Sequence, residues 1–550
     1  MSEKRQNEAG FLMQGSILAI ASIISRVVGL LYRVPLKSII GKTGNDYYGT
    51  AFEIYSIILI ISSYSIPLAV SKLVATRMHK GQAKNAYRVL KGALIFASVT
   101  GGTAAILVFF FAKQLTDLLK TPMSMIALQV LAPVIFIVAV VGVFRGFFQG
   151  LHTTVPSAIS QIFEQVVNAI VSVVAAYYLF SYGKKVGSVL GNPDAFASAY
   201  GAAGGTLGTA MGAVTALICV LFIFGVYKGI LKKKIKKDKT LVLEGYREIF
   251  KLLIITIIPV LLSTTLYNVS SIIDTGIFKS IAHAQKYDPN TISEWWGVYT
   301  GQYRVLINVP ISIASALAAS SVPALAAAFH SGEDMRLKRQ VHMATRFIMV
   351  VSFPCAVGLF VLSGPIMQLL FFDPDKTSAY MLMVGAVSVL FYSLSTLSNG
   401  ILQGIDKMRI PVRNAAIALV LQAGLLVILM YTLKLNIYAV ILANAFYALL
   451  MCILNGLSVK KYTGTVQDIK TTYVIPGISA LIMGVAVYVV YQLLMLLLSS
   501  NIIATIVSII IGAIIYFVVI LLFGGINEIE LLRFPKGELL VKIAKKLRLL

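Results

Sequence analysis

A few charged side chains stand where a strongly apolar sequence should carry none, and their chemistry sets the problem. Arg26 and Arg33 lie seven residues apart in GSILAIASIISRVVGLLYRVPLKSII, the first long apolar run. Seven residues make two helical turns, so both guanidiniums project from nearly one face, about 10 Å apart along the axis. An arginine at mid-bilayer costs about 2.5–3.5 kcal/mol on the insertion scale, so the pair must face water, an anion or a counter-charge. Glu53, Asp274 and Arg304 fall inside later apolar runs, and Asp46 sits just beyond the first, in GNDYYGT. The guanidinium is always charged and its planar fork matches phosphate oxygens, so three arginines suit a phosphate-bearing solute better than a cationic one. In a second reading Arg33 reaches the membrane interface and Arg26 pairs with an internal carboxylate. Glu53 and Asp274 read equally well as counter-charges to the arginines or as groups that couple a cation.

The elements that must hold these groups are membrane helices. The chain has 550 residues, 58% of them hydrophobic and only 13% charged, where a soluble protein carries about 25% charged residues. Its mean hydropathy is +0.86. Apolar runs recur from end to end, which predicts an all-α polytopic membrane protein with about 14 spans of about 20 residues each. The first ones fall near 14–40, 50–71, 92–112, 124–146, 157–180 and 200–228, the next near 251–277 and 299–328. Lysine and arginine crowd into alternate loops: Lys72 to Lys91, Lys228 to Lys239, Arg336 to Arg339, Lys407 to Arg413, Lys460 to Lys470, and Lys542 to Arg548. The positive-inside rule then puts both termini in the cytoplasm. The net charge of +25 is thus a topology signal and not the footprint of nucleic acid. Phe11 follows a polar N-terminus and no small-residue cleavage site follows the first run, so that run reads as a retained span.

A weak internal repeat organises the spans. Gly146-Phe-Phe-Gln149-Gly150 returns as Gly400-Ile-Leu-Gln403-Gly404, and Ala75 to Gly81 (ATRMHKG) is echoed by Ala326 to Gly332 (AAAFHSG), both about 250 residues apart. An even number of spans between equivalent points gives two lobes of like orientation. The expected architecture is a six-helix lobe over 1–228, a basic linker over 229–250, a second six-helix lobe over 251–458, and a C-terminal helix pair with its tail over 459–550.

The remaining polar residues support bland readings. Gln161, Gln165, Asn168, Asn268, Ser270, Gln302 and Asn308 complete hydrogen bonds around the charges, and Glu164 reads as a packing hydrogen bond. Cys219, Cys355 and Cys452 lie in apolar runs and read as small buried hydrophobes. The five histidines lack metal spacing and read as surface residues. Trp295 and Trp296 read as interface anchors. HExxH, GxSxG and GxxxxGK[ST] are all missing, so neither an enzyme nor an ATP-driven pump is indicated. No cofactor is implied; a coupling cation or the membrane potential is the expected energy source.

Ser25-Arg26-Val27-Val28-Gly29, Arg33, Asp46 and Tyr303-Arg304-Val305-Leu306-Ile307-Asn308-Val309-Pro310 together resemble the multidrug/oligosaccharidyl-lipid/polysaccharide (MOP) flippase superfamily. The likeness is to its polysaccharide-biosynthesis and stage V sporulation protein B branch of lipid II flippases. That resemblance implies two six-helix lobes around a cationic cavity, opening in turn to each side of a bacterial cell membrane. It implies an undecaprenyl-diphosphate-linked glycan as cargo, surrounding membrane lipids as solvent, and no obligate protein partner. By position Arg26 and Arg304 match the cavity arginines of such flippases, and Asp46 matches an acidic site after the first helix. Tyr32-Arg33 stands where the Gram-negative pattern has arginine-aspartate, so Arg33 is offset by one residue. The last two spans resemble helices that hold the polyprenyl tail.

Overall fold

The computed structural model describes Ala21, Ile24, Ser25, residues 27–29, 31–151 and 153–526, Glu528, and residues 537–546. Every regular element among the described residues is helical. Arg26 lies outside them. We number the helices α1 Arg33–Leu59, α2 Ile66–His79, α3 Ala83–Leu118, α4 Met125–Gly150, α5 Val155–Leu190, α6 Pro193–Lys237, α7 Tyr246–Ala284 and α8 Pro289–Val298. They continue with α9 Arg304–His330, α10 Asp334–Val361, α11 Ser363–Phe371, α12 Lys376–Gly385, α13 Ser388–Gly404, α14 Arg409–Tyr431 and α15 Asn436–Thr463. The last three are α16 Ile475–Leu498, α17 Asn501–Leu522 and α18 Gly537–Lys546.

Ten helices among the described residues are long and apolar enough to cross a membrane, or eleven if the bent pair α12 and α13 is one span. This is fewer than the fourteen expected. Part of the difference is a merger, because Val27–His79 runs as one helical stretch of 53 residues. At 1.5 Å per residue such a stretch is about 80 Å long, more than twice the hydrocarbon thickness. Gly41 divides it with φ +71°, a conformation that only glycine adopts cheaply.

The chain folds as two compact units, Met1–Gly301 and Gln302–Leu550. The first includes α7, which the repeat alone would place at the head of the second lobe. One core of unit 1 gathers Ile66, Val70, Leu90, Phe144, Val220 and Ile249. A second gathers Leu36, Tyr48, Ile54, Leu128, Ile135 and Ala202. In unit 2, Leu325, Val341, Ile348, Leu397, Leu402 and Ile405 pack together. Elsewhere long stripes of large apolar side chains, such as Ile170, Tyr178 and Phe222 in unit 1 and Leu481, Val485 and Leu496 in unit 2, are exposed, as lipid-facing surfaces require.

Both copies of each repeated motif close a helix. GFFQG ends α4 and GILQG ends α13; Gly81 follows α2 with φ +71° and Gly332 follows α9 with φ +70°. A third pair was not visible as sequence identity. After α3, Lys120 takes φ +55° before Thr121-Pro122, and after α11, Phe372 takes φ +52° before Asp373-Pro374.

Two expected loops are helical. The basic stretch after Lys228 stays in α6 as far as Lys237, which leaves only residues 238–245 as the connection to α7. Likewise α5 and α6 run on through most of residues 181–199.

Candidate functional site

Unit 1 contains a buried charged seam between α1 and α7. Asp46 and Lys279 are each 1% exposed, and the Lys279 Nζ donates to Asp46 Oδ1 at 2.5 Å. The same ammonium donates to Thr121 Oγ1 at 2.5 Å and to Thr50 Oγ1 at 3.1 Å, so all three of its N–H groups have acceptors. The carboxylate is held as completely. Thr50 donates to Oδ1 at 3.0 Å and Ser293, on α8, donates to Oδ2 at 2.5 Å. Trp296 is fully buried against this cluster, stacked on Phe278 with ring centroids 5.2 Å apart. Its ring centroid is 5.8 Å from the Lys279 ammonium. It is therefore a core residue and not the interface anchor its sequence context suggests. Gly297 completes the packing, since a Cβ there would overlap the Lys42 carbonyl oxygen.

Glu53 continues the seam. Its Oε1 accepts from Ser271 and its Oε2 from Thr275, both at 2.6 Å. Positions 46, 50 and 53 share one face of α1 and positions 279, 275 and 271 one face of α7, so the two helices run antiparallel along it. Asp46 and Glu53 are about 10 Å apart along the axis, which gives the seam a sealed end and a half-buried end. Asp274 is 2% exposed, next to Thr275 on the same helix. A buried ion pair of this kind adds little net stability over a hydrophobic pair, but losing one partner strands the other.

Of the other sequence candidates, Arg33 belongs to unit 1 and Arg304 to unit 2. Arg33 opens α1, half-buried, beside Tyr32, whose hydroxyl lies 3.3 Å from that of Tyr48. Arg304 opens α9 in unit 2, also half-buried. Its neighbour Tyr303 is buried, with its hydroxyl 3.2 Å from Ser388 Oγ. Gln302 donates its amide to Asp373 Oδ2 at 2.9 Å, and Ser378 donates to the same oxygen at 2.9 Å. The side chain of Asn268 lies outside the described residues. His342 is not a plain surface residue: its Nδ1 lies 3.1 Å from Gln467 Oε1.

Sequence reasoning passed over two cations. Lys279 lay beyond the predicted end of its span near residue 277, whereas α7 continues to Ala284. Arg145 was inside the predicted span 124–146. Its Nη2 pairs with Glu164 Oε2 at 2.8 Å and its Nε donates to Ser160 at 2.9 Å. Glu164 is thus a counter-charge on α5, stronger than the packing bond expected. Among the described residues no group of three or more His, Cys, Asp or Glu side chains is arranged to hold a metal ion.

The described residues form a helical membrane protein with repeated helix ends and ionic pairs between its helices. The polysaccharide biosynthesis protein family model matches residues 11–329 and the MatE model residues 305–428. The chain belongs to the polysaccharide biosynthesis protein family, within the MOP flippase superfamily. It is 26% identical over 506 residues to the lipid II flippase MurJ of Bacillus subtilis (strain 168), covering 88% of this chain and 89% of that protein. It is 28% identical over 137 residues to stage V sporulation protein B of the same organism, a quarter of each chain. Among solved structures, a lipid II flippase MurJ in an inward closed conformation superposes with a TM-score of 0.65 at 16% identity, over 91% of this chain and 97% of that one. An inward-facing multidrug resistance MATE transporter of the MOP superfamily gives 0.64 at 15% identity, over 81% and 98%.

Proposed function

We propose that this protein carries a polyprenyl-diphosphate-linked oligosaccharide across the membrane by alternating access, with lipid II, the undecaprenyl-diphosphate peptidoglycan precursor, as its cargo. One observation carries the reading: the match to a lipid II flippase extends over nearly the full length of both chains. Arg26, Arg33 and Arg304 hold the diphosphate, because only a fixed cation suits a charge that the bilayer refuses. Glu53 and Asp274 set the charge around it, and a cation or the membrane potential biases the return step. Asp46 acts as a latch and not as a substrate contact, since both its oxygens are engaged by Lys279, Thr50 and Ser293. With the basic loops in the cytoplasm, the Asp46–Lys279 end of the seam faces outward and must part to release cargo.

The test is complementation of cells depleted of their lipid II flippase, scored by whether lipid II becomes accessible to a reagent added outside. Rescue is expected, with Arg26→Ala and Arg304→Ala expressed normally but inactive. Growth of both variants at the wild-type rate would end the assignment. Good expression without rescue would move the cargo to another polyprenyl-linked glycan, the alternative that the family description favours. A cation-coupled multidrug exporter is a weaker fit, because the first span carries arginines.

A further inference from the structure

The connection over residues 238–245 (DKTLVLEG) is seated with unusual care for a linker. Asn85 donates its side-chain amide to the Val242 carbonyl at 3.2 Å and accepts from the Glu244 N–H at 3.0 Å. Arg88 donates to the Glu244 carbonyl at 2.8 Å, and Lys84 Nζ to the Thr240 carbonyl at 3.4 Å. Main-chain groups of residues 240, 242 and 244 are thus held by α3, the alternation of an extended strand. The acidic side chains of the linker are also used up. Glu244 pairs with Arg77 at 2.6 Å, and Asp238 accepts from the Lys84 N–H at 2.6 Å.

Everything else in the segment faces outward. Leu241 is 95% exposed, Val242 78% and Leu243 48%, although nothing about a linker calls for three consecutive apolar residues. Immediately before them Lys232, Lys233, Lys234, Lys236 and Lys237 at the end of α6, and Lys239 in the connection itself, are exposed. The holding residue Asn85 lies seven residues before Gly92, where the apolar run of α3 starts, so the strand sits within about 10 Å of the hydrocarbon. Apolar side chains flanked by a polybasic stretch at headgroup depth are matched by an anionic leaflet, where lysines meet phosphates and leucines enter the acyl boundary.

We propose that residues 238–245 and the lysine-rich end of α6 form a docking surface for anionic phospholipid, with Leu241, Val242 and Leu243 inserted among the headgroups. An acidic protein segment has the charge but would not be held at the bilayer boundary. The consequence is that the root of α7 is tied at once to α3 and to the leaflet.

The test uses the full chain in lipid nanodiscs with tryptophan in place of Leu241, a side chain too exposed to affect folding; unsubstituted protein supplies the Trp295 and Trp296 background. In discs containing phosphatidylglycerol, a brominated phospholipid should quench the new tryptophan strongly while acrylamide hardly does. Omitting phosphatidylglycerol, or changing the six lysines to glutamine, should reverse that ratio several-fold. Val242→Trp should report the same pattern. Acrylamide access without bromolipid quenching in anionic discs overturns the proposal, as does equal bromolipid quenching in neutral and anionic discs. Neither readout depends on transport, so the result stands apart from the identity of the cargo.

Discussion

At the ends of α3 and α11 the chain makes one turn twice and fills it with opposite chemistry. In unit 1 the turn offers a hydroxyl, Thr121, to the ammonium of Lys279, whose charge is balanced by Asp46 on α1. In unit 2 the turn itself carries the carboxylate, Asp373, and neutral donors from Gln302 and Ser378 approach it. The backbone is shared because a left-handed residue followed by X-Pro suits a helix stop and restart whatever the side chain. What differs is the kind of bond. In unit 1 the turn accepts from one member of a full charge pair across two helices, which is costly to half-break, while in unit 2 the turn supplies the carboxylate itself.

The largest break of that contrast is Lys279→Met. It strands the buried Asp46 carboxylate and should lower the stability of unit 1 by about 3–5 kcal/mol, read as earlier thermal unfolding in detergent. Adding Asp46→Asn should recover most of the loss; a single variant as stable as wild type would mean that the seam carries no charge. Moving the carboxylate sharpens the same point: Asp46→Asn with Thr121→Asp puts the unit 2 arrangement into unit 1 and should keep Lys279 paired, leaving stability closer to wild type than Lys279→Met does. Next in size, Gly297→Ala forces α8 off the Lys42 carbonyl at about 1–3 kcal/mol, as overpacking does; unfolding unchanged within error would refute the close approach. Asp373→Asn in unit 2 weakens the acceptor shared by Gln302 and Ser378 and should cost about 1–3 kcal/mol; unfolding unchanged within error would mean that this acceptor carries nothing.

The smallest effect lies away from both turns. Burial alone would raise the Asp238 carboxyl, but the Lys84 N–H, the Thr240 hydroxyl and N–H, and the Lys84 ammonium together hold it below its ordinary value. A carboxylate lowered in the fold contributes stability above its unfolded value, and that contribution is lost as pH falls through the folded value. The linker should therefore stay seated at neutral pH and loosen only in strong acid, seen as rising mobility of a spin label at position 239. Loosening near pH 6 would point to another group.

How far the sequence foretold this arrangement depends on where each charge stood. Arg33, Asp46, Glu53, Asp274 and Arg304 were all conspicuous, because an ionisable group in an apolar run is expensive wherever it points. Their partners were not. Lys279 reads as a loop lysine until α7 is known to run past it, and Ser293 and Thr121 are ordinary until the fold sets one on the Asp46 carboxylate and the other on the Lys279 ammonium. The repeat was legible at the helix ends where glycine is required, and illegible at the Thr121 and Asp373 turns, where a shared backbone leaves the side chain free to change. Near the start of the chain the two expected spans run into one helical stretch, divided at Gly41 by a backbone break and not by a polar loop.

The grip of Asn85 on the linker has a consequence for how the chain can change over generations. One amide holds the main chain at Val242 and Glu244, and main chain is common to every residue type but proline. The hold on Val242 is therefore indifferent to its side chain, whereas a one-residue insertion or deletion would put the wrong carbonyl and N–H opposite the amide. Length is what heredity must preserve here, along with the two acidic side chains that Arg77 and the Lys84 N–H hold.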